Sequence, residues 1–156
     1  MGKLDQYDEH ILRELQKDSS ISNLELSKKI GLSPSACLVR TKNLREEGYI
    51  KQFATLVDEE KVGMKVQAFV LVNLTPLTRE NFDLFLENIH SYPQVQECYT
   101  ITGNKDFMLK IIAADMDEYR NFIINTLLQN KNISSIETNI VMRTDKRKIY
   151  VPINGQ

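Results

Sequence analysis

The stretch ISNLELSKKIGLSPSACLVRTKNLREEG, residues 21–48, limits what this chain can fold into more than any other. Leu24, Leu26 and Ile30 fall at helical spacing, Gly31 ends that run, and Cys37, Thr41 and Leu44 recur at i, i+4, i+7. A glycine allows a left-handed exit from the first helix. Ser33 supplies a hydroxyl cap for the second, and Pro34 suits a first turn that needs no amide donor. The pattern predicts two short helices held at a steep angle, a helix-turn-helix.

The second helix turns Ser35, Ala36, Leu38, Val39, Arg40, Lys42 and Asn43 outward, with Ser33 at its start. Between Pro34 and Arg45 three residues are basic and none is acidic. Serine hydroxyls suit base edges, Ala and Val suit thymine methyls, and Arg, Lys and Asn reach bases or phosphates. These eight residues are the candidate DNA contacts. Two amphipathic helices with a solvated basic face would show the same spacing, so the residues alone leave both readings open.

Before this stretch, Asp5 opens a helix whose apolar stripe is Ile11, Leu12 and Leu15, with Asp8 and Glu9 near its positive end. Ser22 and Glu25 have the spacing of a capping box. After Gly48, residues 49–57 (YIKQFATLV) read as a strand too apolar for a free linker. From residue 66 the hydrophobic period changes. Strands are predicted over 66–74, 95–102, 107–113 and 133–142, with helices over 79–90 and 115–128, the second turning Met116, Tyr119, Ile123 and Leu127 inward. That order is βαββαβ, a ferredoxin-like arrangement with two helices on one sheet face. Phe69 and Leu71 alternate with Val70 and Val72, so both faces call for burial, and a second copy of the chain is the simplest cover.

The expected class is α+β. A three-helix helix-turn-helix domain spans 1–50, a strand or linker 51–65, and a ferredoxin-like domain 66–156. Net charge is −1, so any nucleic-acid affinity must come from a local basic surface. No apolar run approaches the roughly 18 residues of a membrane span, and no signal-peptide pattern is present, so the chain is expected in the cytoplasm. Cys37 and Cys98 read as buried free thiols. Neither His10 nor His90 has metal-ligand partners, no nucleophile–base pair occurs, and neither enzyme activity nor a cofactor is expected.

The helix around Leu4, Asp5, Asp8, Ile11, Leu12, Leu15, Gln16 and Asp18, the 21–48 stretch, and QECYTITGNKDFMLK in the second half together resemble the Lrp/AsnC (leucine-responsive, feast/famine) regulators over nearly the whole chain. The resemblance implies a transcriptional regulator at the nucleoid, with a winged-type helix-turn-helix and a hinge strand over 51–65, that binds roughly palindromic promoter DNA, dimerises by sheet packing, and associates further to octamers. It also implies an amino acid held between dimers. The positions that resemble the family's pocket are Tyr99, Thr100, Ile101, Gly103, Asn104, Asp106, Met116, Thr138, Asn139 and Ile140. In that pocket Gly103 offers backbone amides to a carboxylate, and Asp106 accepts from an ammonium. Ile101, Met116 and Ile140 favour leucine or methionine as effector. The family's turn reads Gly-Asp-Tyr/Phe-Asp where this chain has Gly103-Asn104-Lys105-Asp106, which removes one carboxylate and adds an ammonium. An alternative reading is a protein-binding module that senses amino acids without binding DNA.

Overall fold

Side chains within four residues of each helix start fix the N-terminal helices. In the computed structural model, which describes residues 4–153, the Asp5 carboxylate accepts from the amides of Tyr7 and Asp8, and Asp8 accepts from the Asp5 amide in return. Helix α1, Gln6–Lys17, begins there. Ser22 and Glu25 close the expected capping box on α2, Asn23–Ile30, and Gly31 ends it at φ 78°, a left-handed conformation glycine adopts without steric cost. The Ser33 hydroxyl accepts from the Ala36 amide, with Pro34 in the first turn of α3, Pro34–Glu46.

Ile11, Leu12, Leu26, Ile30, Cys37 and Leu44 close over one another as the core of these three helices. Leu24 does not join them. It is 53% exposed, and the buried position one turn on is Ser27, whose hydroxyl donates to the Leu24 carbonyl. Thr41 tolerates its place on the inner face because its hydroxyl donates to the Cys37 carbonyl at 2.9 Å. Glu14, also buried, is held by the ammonium groups of Lys17 and Lys29 at 2.6 and 3.1 Å, which keep its carboxyl below the usual range.

This unit takes in a segment that the sequence assigned elsewhere. The chain divides into one unit that runs to Leu56 and resumes at Lys146, and a second that spans Val57–Asp145. Residues 146–153 thus group with the helical unit, and residues 1–3 and 154–156 lie outside the described residues. The Gln16 side chain grips the backbone of Val151 at both ends, accepting from its amide at 2.6 Å and donating to its carbonyl at 3.2 Å, and Ile153 packs on the helical core. The strand expected over 49–57 is corrected too. Residues 50–57 join no β-ladder among the described residues, since a strand needs a neighbour for its amides and carbonyls.

The second unit has the expected βαββαβ order. It consists of β1 Val66–Leu74, α4 Arg79–His90, β2 Val95–Thr100, β3 Phe107–Ala113, α5 Met116–Asn125 and β4 Ile133–Ile140. The sheet is antiparallel throughout, in the order β2-β3-β1-β4. Ala68, Val70, Val72 and Leu74 of β1 and Phe107, Leu109, Ile111 and Ala113 of β3 point to the helical layer, where Phe85, Ile89, Tyr119 and Phe122 bury them. Gln67, Phe69, Leu71 and Asn73 stand on the other face, which carries no helix. The second helix is shorter than expected. It stops at Asn125, where Thr126 leaves helical geometry (φ −125°, ψ −66°), and a 3-10 turn over Leu127–Gln129 brings Leu127 into the core. Met116, expected inward, opens α5 and is 52% exposed.

Candidate functional site

Helix α3 is fixed at both ends and bare along one side. Asn23 donates its side-chain amide to the Pro34 carbonyl at 2.8 Å, tying the start of α2 to the start of α3, and buried Cys37 and Leu44 anchor the inner face. Ser33, Ser35, Lys42 and Asn43 are exposed, Ala36 is half-buried, and Leu38 and Val39 are each 58% exposed. Bare leucine and valine on a short helix mark a contact surface more than a solvated one. Ser35, Ala36, Val39, Arg40 and Asn43 line a groove of about 660 Å³ together with residues that include Leu4, Asp8, Glu47 and Tyr49. Lys42 makes only a loose pair with Glu46 at 3.6 Å, and Arg45 is exposed in the last turn.

Arg40 differs from the other seven expected contacts. Its Nη1 donates to Asp5 Oδ2 at 2.7 Å and to Asp8 Oδ1 at 2.8 Å, and its guanidinium carbon lies 5.4 Å from the centre of the Tyr7 ring. Nothing in the spacing of α3 signals this pairing, because its acids lie 32 and 35 positions away.

The ten expected effector residues do not form one cavity within the second unit. Gly103, at φ 118°, and Asn104 form the turn between β2 and β3, beside Ile101, whose amide donates to the Asp106 carbonyl. That turn meets β1 at Val72, whose carbonyl accepts from the Asp106 amide. Ile140, Asn139 and Thr138 pair instead with Ala68, Phe69 and Val70 of β1. From Val72 to Ala68 is roughly 13 Å of strand. The ten residues also divide by face. Thr138 shares a hydrogen bond with the Tyr119 hydroxyl on the helical side, whereas Asn139 stands on the bare face. Tyr99 is on the bare face as well. It donates to Glu97, and this carboxylate holds the phenol above its ordinary range. Thr100 ends β2 opposite Phe107, and Met116 lies at the start of α5. Two half-sites result, at opposite ends of the sheet.

Asp106 has a structural role at the turn. Its Oδ2 accepts from the Leu74 amide at 2.8 Å, at the point where the β1–β4 register shifts. Asn73 completes the clasp, accepting from the Asp106 amide and donating to the Asn104 carbonyl, each at 3.1 Å. An asparagine inside the apolar run VQAFVLVNL was the available signal. Asp106→Ala is therefore expected to destabilise the protein by about 1–3 kcal/mol, the cost of a buried amide left without its acceptor. Asp106→Asn, which keeps an accepting oxygen, should cost less. Urea denaturation of both variants checks this, and a wild-type midpoint for Asp106→Ala would refute it. Lys105 in the same turn is largely buried, its ammonium 3.4 Å from the Ser135 hydroxyl and 3.7 Å from the Glu137 carboxylate. Among the described residues no three His, Cys, Asp or Glu side chains gather as a metal site.

Residues 4–51 match a winged helix-turn-helix DNA-binding model, and residues 67–150 match the Lrp/AsnC ligand binding domain. The chain is 63% identical over 151 residues to the transcriptional regulator AzlB of Bacillus subtilis, covering 97% of this chain and 96% of that one. It is 35% identical over 144 residues to the leucine-responsive regulatory protein of Escherichia coli, covering 92% and 88%. A Neisseria meningitidis transcriptional regulator solved as a complex with L-Met superposes at a TM-score of 0.94, with 32% identity over 97% of this chain and 98% of that one. Escherichia coli AsnC does so at 0.88 with 25% identity, over 97% and 100%. Relatives of such coverage are named as regulators, not enzymes. Carrying a DNA-binding helix-turn-helix ahead of a ligand-binding ferredoxin-like domain, the chain belongs to the Lrp/AsnC family of transcriptional regulators.

Proposed function

We propose that this regulator binds a roughly palindromic promoter site in the cytoplasm as a dimer or larger assembly, and that leucine or methionine tunes that binding. The observation that carries the DNA half is the bare face of α3. There Leu38 and Val39 lie open among Ser33, Ser35, Ala36 and Asn43, a composition that suits thymine methyls and base edges in a major groove. Lys42 and Arg45 supply the phosphate contacts. A two-fold pair of such helices meets half-sites a helical turn or a multiple apart.

The effector half is supported by the two half-sites. One has the Gly103 turn with its close-approach backbone, and the other has Met116 and Ile140, both exposed apolar side chains at a strand and helix end. A ligand that needs both draws them from different copies, which links binding to assembly. The family member solved with L-Met supports a thioether side chain, and Ile101 and Ile140 suit a branched one equally well. The bare sheet face and the unpaired 50–57 segment support self-association, up to the octamer expected from the family.

Replacing Lys42 and Arg45 together by Ala is expected to flatten the salt dependence of promoter binding by about 0.9 in log–log slope for each phosphate no longer neutralised. Fluorescence anisotropy across a salt series measures it. An unchanged slope would remove α3 from the DNA interface. Calorimetry with leucine and with methionine tests the effector, and failure of both to bind would overturn that half.

A further inference from the structure

We propose that Arg40, the most central cation of the recognition helix, is a positioning residue that orients α3 from within the protein and does not itself contact DNA. The proposal rests on α3 being the DNA-reading helix. Its ground is the double use of the α1 capping box. Each carboxylate gives one oxygen to the backbone and the other to the arginine. Asp5 Oδ1 accepts from the Tyr7 and Asp8 amides at 2.8 and 2.9 Å, while its Oδ2 takes Arg40. Asp8 Oδ2 accepts from the Asp5 amide at 3.3 Å, while its Oδ1 takes Arg40. The Tyr7 ring lies beside the guanidinium. The acids are thus held before the arginine arrives, and pinning two already fixed partners forfeits little side-chain entropy compared with an ordinary surface pair.

Charge and direction agree. One guanidinium faces two carboxylates within 2.8 Å, so a phosphate approaching it would meet net negative charge. At about 100° of helix turn per residue, Lys42 and Arg45 point roughly 200° and 140° around α3 from Arg40. The basic face read from the sequence therefore splits. One cation clamps α3 to the start of α1, and two remain for phosphates. Within the helical core Ile11, Cys37 and Leu44 fix the spacing of α1 and α3, and Asn23 ties the start of α3 to α2. The charge-assisted clamp adds a directional tie from α3 to the start of α1.

The test uses the full-length chain and a labelled promoter fragment, read by anisotropy over a salt series, with far-ultraviolet circular dichroism to confirm folding. Arg40→Ala and Asp8→Asn should each weaken binding by roughly tenfold, and the double variant should be no worse than either single, the mark of one shared interaction. Neither should change the salt slope, whereas Arg45→Ala should flatten it by about one unit. Arg40→Lys, which keeps a cation for both carboxylates, should recover part of the affinity lost by Arg40→Ala. A flattened slope for Arg40→Ala, tighter binding by Asp8→Asn, or a folded double variant that binds more weakly than either single would overturn the proposal. If Lys42→Ala and Arg45→Ala also leave the slope unchanged, what fails is the assignment of α3 to DNA, a separate outcome.

Discussion

Phe107→Ala is expected to destabilise the second unit by about 3–5 kcal/mol, enough to unfold much of it at moderate temperature. Phe107 is fully buried where β3 begins, with its ring 4.5 Å from Phe85 and 5.0 Å from Phe82, so it joins the sheet to α4 through two aromatic contacts. Its removal deletes a ring's worth of apolar packing and leaves a cavity that the paired strands β1 and β2 on either side cannot collapse to fill. Calorimetric unfolding should show the loss directly. A drop below about 1 kcal/mol would mean that this core is far looser than its burial indicates.

Ile11→Ala is expected to have the opposite functional signature. Ile11 is fully buried in the helical core, and the substitution should cost about 2–5 kcal/mol in a unit of 67 residues, a large share of the stability such a size supports. Promoter binding should then be lost at temperatures where the second unit still unfolds at its wild-type midpoint. The two cores share no residue, so each substitution should lower one transition and spare the other. Equal depression of both transitions by Ile11→Ala, followed by circular dichroism during heating, would show that the units unfold as one.

Each feature that the sequence predicts correctly in this chain has a short range or a strict period. Asp5, the Ser22–Glu25 box, Ser33-Pro34 and Gly31 all act within four residues of the groups they satisfy, so their spacing is their geometry. The run VQAFVLVNL forms β1 as predicted, because alternation in a strand fixes which side chains share a face. Met116 departs from that rule. Helical spacing places it on the stripe of Tyr119 and Ile123, but a residue at the first position of a helix extends past the layer that would cover it.

What the sequence by itself determined is the three N-terminal helices, the βαββαβ order that follows and the family they belong to, since local capping, hydrophobic period and motif spacing all survive in one dimension. Only the tertiary structure decided which charged and polar groups find one another. Arg40 meets acids 32 and 35 residues away, Asp106 closes on the Leu74 amide 32 residues back, and Gln16 grips Val151 across 135 residues. No period announces such pairs. Each is set by where folded elements bring a few oxygens and nitrogens within about 3 Å, at a range where charge and hydrogen bonding outweigh the freedom given up.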